Sequence, residues 1–420
     1  MTIQKLIARG AVSIVVAMAC VTQASAHQVV EWNQATLEIT EADGITSGAA
    51  HARTLAMVHL AMHDALNAIE PRYEAYAVRG EPSPDASPDA AVAAAAFGVL
   101  RRLFPAKISL SEQRYQAVLA TIPEGQARRV GIDLGDRIAA ELASGRAADG
   151  FLINPAYTWL PVAPGVFQPV PPAFSTTAVL TGLPKAMPFT LKGASQFRAP
   201  GPPKLTSADY TRDFNEARSV GSMNSTARSA DQTAAAHFWR EASSTHAWNR
   251  VARPLATAKV KDLWDSARLF ALLNMTIADT AIAIFESKYH YHFWRPVTAI
   301  VQAESDGNSG TAAELNWTPL LTTPSHPEYP SGHAGYCAAA ARIMSSLLGD
   351  GIAFATTSPS SVPAGMVRSY PSFSHMAQEC SDARVYAGIH FQTACKHGAA
   401  QGQQVAEWAT QRFLRPLKSN

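Results

Sequence analysis

Residues 48–69 read GAAHARTLAMVHLAMHDALNAI. Leu55, Val58, Met62, Leu66 and Ile69 recur at three- and four-residue steps, the period of one helix face, so the stretch predicts an amphipathic α-helix. Working outward, 88–105, 111–122 and 125–144 predict three more helices. Further helices are predicted at 206–219, 229–241, 258–287, 332–348, 374–390 and 393–414, with 352–372 as a loop. Helix formers dominate, alternating strand patterns are scarce and no fixed-period repeat is present. The exception is 151–204, crowded with prolines from Pro155 to Pro203 between Trp159, Phe167 and Phe189. An irregular stretch of that length is a lid, a wrap or a linker, and its aromatics argue that it lies on the body. The expected architecture is an all-α helical bundle with a long Pro-rich irregular segment. Its divisions are a leader (1–26), an N-terminal helical region (27–150), a wrap or lid (151–204) and a C-terminal bundle (205–420).

The 420 residues are 47% hydrophobic and 16% charged, which excludes a disordered or collagen-like chain. Formal net charge is +2, and the surplus is Lys5 and Arg9 at the N-terminus. A neutral body offers no footprint for nucleic acid or an anionic membrane. Lys5 and Arg9, the apolar run Ala11–Val21 and Ala24-Ser25-Ala26 form a cleavable export signal, predicting cleavage after Ala26 and a secreted or periplasmic protein. The run is too short to span a membrane. The most apolar later stretch, 269–285, is broken by Asn274 and Asp279, so no integral membrane segment is expected after cleavage. Cys337, Cys380 and Cys395 then remain, an odd count; a Cys380–Cys395 bridge and buried free thiols are equally open.

The sequence has no H-E-x-x-H, P-loop, G-x-S-x-G or G-x-G-x-x-G motif. Three other segments concentrate polar chemistry. In Lys288-Tyr-His-Tyr-His-Phe-Trp-Arg295-Pro296, the two cations are seven apart, two turns along one predicted helix face. Like charges on one face repel unless an anion lies between them. In Pro330-Ser331-Gly332-His333, a serine and a glycine precede a helix, whose free N–H groups and dipole favour an anion. In Arg384-Val-Tyr-Ala-Gly-Ile-His390, a spacing of six does not share a helix face, so Arg384 sits at a helix end or the helix is irregular near Gly388. Together these residues describe a pocket for a tetrahedral oxyanion. Lys288, Arg295 and Arg384 supply charge, Ser331 and the Gly332 N–H supply donors, His390 is a nucleophile or ligand, and His333 is an acid or base.

The ordered set K-x6-R-P, P-S-G-H, R-x5-H resembles the signature of the type 2 phosphatidic acid phosphatases and the vanadium-dependent haloperoxidases, over about residues 288–397. His59-Leu-Ala-Met-His63-Asp64-Ala-Leu-Asn67 is similar to their longer, secreted haloperoxidase-type branch. The resemblance implies an all-α bundle in which His390 binds vanadate, or attacks phosphorus in a phosphatase. Lys288, Arg295, Ser331, Gly332 and Arg384 would bind the oxyanion, with Lys288 and His333 catalytic beside His390. His326, seven before His333, resembles the placement of a histidine in bromide-oxidising relatives and is a halide-selectivity candidate. Two positions depart from the pattern. Ala383 precedes Arg384 where a serine is usual, and Ala394 stands where an aspartate usually follows the last histidine by four. That aspartate would orient the imidazole. Its loss harms a nucleophile more than a vanadate ligand, and Asp64, Asp231 and Asp382 are candidates to replace it through space.

The expected enzyme is therefore a haloperoxidase with vanadate as cofactor, acting on hydrogen peroxide and halide. The alternatives are an exported acid phosphatase with no cofactor, using a phosphohistidine at His390 on phosphomonoesters, and a noncatalytic oxyanion-binding relative. A homodimer is an expectation from the resemblance alone.

Overall fold

The computed structural model describes residues 28–77, 82–240 and 244–417; the predicted leader lies outside them. The architecture is all-α. The N-terminal part contains α1 (28–42), α2 (Gly48–Ile69), α3 (Pro88–Leu103), α4 (Ile108–Ala120) and α5 (Gln126–Gly145). After the Pro-rich segment come α6 (Ala208–Val220), α7 (Ala230–Phe238), α8 (Ser244–Lys259), α9 (Leu263–Tyr291) and the short α10 (Pro296–Val301). Helices α11 (Gly332–Leu348), α12 (Phe373–Tyr386) and α13 (Gln392–Arg412) complete the bundle.

Helix α9 is the axis. Asp262 caps its N-terminus by accepting from the Asp265 amide, and α2, α11 and α13 enclose it. It is long and apolar enough to cross a membrane, yet nearly all of it is buried inside the protein. Its two polar interruptions are structural. Asn274 exchanges hydrogen bonds with Asn249 of α8, and Asp279 accepts from the amides of Phe189, Thr190 and Leu191. Asp279 thereby fastens the Pro-rich segment to the central helix. That segment is irregular apart from one 3₁₀ turn (Leu183–Lys185). It also meets the stretch after α9: the Phe167 amide donates to the His292 carbonyl at 2.7 Å and the Trp294 amide to Gly165. One apolar core runs from Trp32 through Leu60, Phe97 and Phe270 to Met376 and Leu414, so the helices before and after the wrap share it.

Helices α11 and α13 touch backbone to backbone. A β-carbon on Gly402 would lie 2.1 Å from the Gly335 carbonyl oxygen, and one on Gly398 would lie 2.3 Å from that of Ser331. This approach brings the start of α11 against the start of α13, where the site forms.

Several local expectations need correction. Helix α8 was not predicted, because Pro254 and a polar run hide its buried face of Ala247, Trp248, Val251, Ala252 and Ala256. Residues 352–372, read as a loop, contain an antiparallel hairpin, β1 (Phe354–Ser358) with β2 (Met366–Tyr370), which pairs Phe354 with Tyr370. Of the three cysteines, Cys337 and Cys380 form the disulfide and Cys395 is free and buried. The Cys380–Cys395 pairing therefore does not form. Cys337 on α11 and Cys380 on α12 are set face to face by helix packing that linear spacing does not show.

Candidate active site

The three motifs converge where α9, α11, α12 and α13 end or begin. Lys288 lies in the last turn of α9. The helix then stops at Tyr291 on a left-handed cap, His292 (φ 50°). Arg295 follows in extended backbone (φ −86°, ψ 155°) as the residue before α10. Lys288 and Arg295 thus do not share one helical face; they stand beside the 326–328 loop and His390 from two elements separated by a reversal. The left-handed cap thus comes three residues before Arg295. Arg384 occupies the final turn of α12 and His390 the link to α13. Gly388 (φ +74°) makes that link, with the Gly221 carbonyl oxygen only 2.3 Å from where a β-carbon would be. This accounts for the six-residue spacing.

All three cations are buried. Lys288 Nζ donates to the carbonyls of Pro327 and Glu328, both at 2.8 Å. Arg295 donates from Nε to the His326 carbonyl and from Nη1 to that of Ile389. Arg384 Nη1 donates to the Trp239 carbonyl at 2.6 Å, and its Nε is buried without a partner. Burial weakens each cation's hold on its proton. Lys288 is held well below its ordinary range, helped by neighbouring Arg295, and Arg295 and Arg384 are pushed down to about 10.

One carboxylate answers these charges, and the sequence reading missed it. Glu328 Oε1 lies 2.8 Å from His390 Nδ1 and accepts from the Phe391 amide at 3.0 Å. Burial pushes its pKa up to about 7 against the opposing pull of Lys288 and Arg295. The expected aspartates lie elsewhere. Asp64 accepts from the Tyr76 and Ala77 amides, Asp231 pairs with Arg368, and Asp382 accepts from Gln378. The signal was in the second motif: Glu328 stands two residues before Pro330. Ala394 is not vacant of purpose, since its carbonyl accepts from the Ser331 amide at 2.9 Å.

This geometry fixes the chemistry of His390. Its Nε2 is 3.3 Å from Arg295 Nη1. A guanidinium only donates, so Nε2 carries a lone pair and Nδ1 carries the proton directed at Glu328. Burial, Arg295, Lys288 and Arg384 all hold the imidazole well below its ordinary pKa, so it is neutral. A neutral imidazole with a carboxylate behind it is the form that coordinates a metal centre or attacks phosphorus.

Ser331 is the residue before α11, but its side chain does not cap the helix. Its Oγ is buried with no hydrogen-bond partner, and the Cys395 thiol is a polar neighbour. Gly332, His333, His326, Arg384 and His390 line one cavity of about 450 Å³, with Phe285, Leu180, Phe151 and Ile153 among its apolar walls. His326 contacts Arg295 Nη2 through Nδ1 at 3.0 Å, and its ring lies tilted 5.0 Å from that of Phe285.

These residues fit a tetrahedral oxyanion. Three buried cations face one carboxylate, which His390 already engages. Ser331 Oγ and Arg384 Nε are unspent donors at the same place. Among the described residues no three His, Cys, Asp or Glu side chains gather to hold a metal cation. A metal oxyanion bound through one histidine and a positive cage needs no such cluster.

An all-α bundle carrying these three motifs around a buried cationic pocket is similar to the vanadium-dependent haloperoxidases in both sequence and fold. Residues 268–419 match the family described as the second helical-bundle domain of vanadium chloroperoxidase. The chain is 28% identical to the vanadium chloroperoxidase of Curvularia inaequalis over 391 aligned positions, covering 74% of this chain and 64% of that protein. The fold superposes on a bacterial vanadium-dependent iodoperoxidase with a TM-score of 0.79 at 23% identity, covering 94% of this chain and 98% of the other. A holo-type bacterial vanadium-dependent chloroperoxidase gives 0.69 at 16% identity, covering 87% and 92%.

Proposed function

We propose that the chain is a vanadium-dependent haloperoxidase whose vanadate is held by His390 Nε2 and caged by Lys288, Arg295, Ser331, Gly332 and Arg384. The observation that carries this is the neutral, carboxylate-backed His390 facing a pocket with surplus positive charge. The likeness to vanadium chloroperoxidase supports the oxidoreductase reading. Bound vanadate would activate hydrogen peroxide toward halide. The chain's own part is electrostatic: Lys288, Arg295 and Arg384 neutralise the oxyanion, Glu328 keeps the proton on His390 Nδ1, and His333 moves protons at the cavity floor. His326 beside Arg295 favours bromide in this reading. The Cys337–Cys380 disulfide supports export to an oxidising compartment.

Glu328 bears on the rival reading. The missing aspartate at 394 disfavoured a nucleophilic histidine, and Glu328 removes that ground. An acid phosphatase using His390 as nucleophile and His333 as acid therefore has the residues it requires. The same carboxylate weakens the case for a noncatalytic relative. The test is a pair of assays on purified mature protein. Dialysis with orthovanadate should give peroxide- and bromide-dependent bromination of a phenolic dye, abolished in His390→Ala. Hydrolysis of p-nitrophenyl phosphate by vanadate-free protein, inhibited by vanadate and without bromination, would overturn the haloperoxidase reading.

A further inference from the structure

Tyr336 lies one helical turn beyond Gly332 on α11. Helical side chains lean toward the N-terminus, so the residue at i+4 covers the residue at i. The ring does this. Its Cε2 and its hydroxyl oxygen lie 3.4 Å from the position that a β-carbon on Gly332 would take, and Cζ lies 3.5 Å away. The ring lines the same cavity as His333, Arg384 and His390. Its hydroxyl therefore stands over the N-terminus of α11, where backbone N–H groups have no intrahelical partner. Among the described residues this hydroxyl has no hydrogen-bond partner. Burial raises the phenol's pKa, so it remains a neutral O–H donor at any working pH.

A donor in that position completes a pattern. The Gly332 N–H, Ser331 Oγ and Arg384 Nε approach the pocket from the loop and from α12. The phenol stands over the face that the glycine leaves bare. We propose that Tyr336 donates a hydrogen bond to the oxyanion held against Gly332 and His390, making it an anion-binding residue outside the three-part motif. This rests on the oxyanion-pocket reading and holds whether the resident ion is vanadate or phosphate. A residue that merely filled space over Gly332 would need the ring and not the hydroxyl, so Tyr336→Phe separates the two roles.

The experiment is calorimetric titration of the mature wild-type chain and Tyr336→Phe with orthovanadate and, separately, with inorganic phosphate. Losing one hydrogen bond to a charged acceptor should weaken binding of both ions about ten- to a hundredfold. The melting temperature of the ligand-free variant should stay near that of the wild type, because the hydroxyl bonds to nothing in the protein. Dissociation constants within twofold of wild type for both ions would overturn the role of Tyr336 and leave the oxyanion pocket standing. A wild-type chain that binds neither ion would overturn the pocket and this inference together.

Discussion

Glu328 is the residue on which function and stability should pull in opposite directions. Its carboxylate is fully buried and satisfies two donors, His390 Nδ1 and the Phe391 amide, through one oxygen. Replacing it with Gln keeps an acceptor for both donors and removes the charge. The charge is costly to hold: burial pushes Glu328 from 4.5 to about 7. An acid with a raised folded pKa contributes most stability below its unfolded value and loses it as pH climbs toward the folded one. Between pH 4.5 and pH 8 the wild type should therefore lose about 3 kcal/mol relative to Glu328→Gln, which has nothing to titrate there. Over the same comparison the variant should bind orthovanadate about 10- to 100-fold more weakly, the usual effect of removing the group that orients a ligating histidine. Glu328→Ala behaves differently, because it strands two buried donors and should be less stable than Glu328→Gln by about 2–6 kcal/mol at any pH. Urea unfolding at pH 4.5 and 8, with equilibrium dialysis against vanadate, reads both quantities. A Gln variant with wild-type vanadate affinity, or a stability gap that does not change with pH, would refute the assignment of Glu328 as the His390-orienting charge.

Two further outcomes follow from the scaffold. The Cys337–Cys380 disulfide closes a loop with a sequence separation of 43, so a Cys337→Ala/Cys380→Ala double variant should lose about 4 kcal/mol in urea unfolding, matching reduced wild type; a change below 1 kcal/mol would show that helix packing alone holds α11 against α12. His59 is fully buried, stacks on Phe270 and is lowered to about 3, so it stays neutral in the fold while the unfolded chain takes up a proton near pH 6.5. Stability from this residue is present above pH 6.5 and falls as pH drops, by about 2 kcal/mol at pH 5; His59→Gln should lose that much less than wild type between pH 7.5 and 5, and equal losses would remove His59 as the cause.

What could be read from the sequence was what is local or periodic. Residues 48–69 gave their helix to within a residue, since twenty buried positions need an apolar face and a serine to start it, and Ser47 does accept from the Ala50 amide. Lys288, Arg295, His333, Arg384 and His390 were singled out because their motifs have fixed spacing. Where Lys288 and Arg295 stand relative to each other was not, because the left-handed cap at His292 is occupied by a residue that does not announce it. Helix α8 was hidden by Pro254, which tertiary burial overrides. The disulfide partner was hidden because it depends on which helix faces meet.

Glu328 and Ala394 show where motif matching stops being physical. A pattern read along the chain asks whether an aspartate stands four residues after His390; the imidazole responds only to a carboxylate near Nδ1. Ala394 lies in α13, and its carbonyl ties Ser331 into place. Glu328 arrives from the loop leading to Ser331, held because its own amide donates to the Phe293 carbonyl. The same loop that presents Ser331 and Gly332 to an anion thus also presents the charge that sets His390. The candidate ligand cradle and His390 are consequently coupled through a few residues, 328–332, rather than through α13. A shift in that loop would alter the candidate oxyanion donors and the imidazole orientation at once, and the carboxylate at His390 Nδ1 does not depend on position 394.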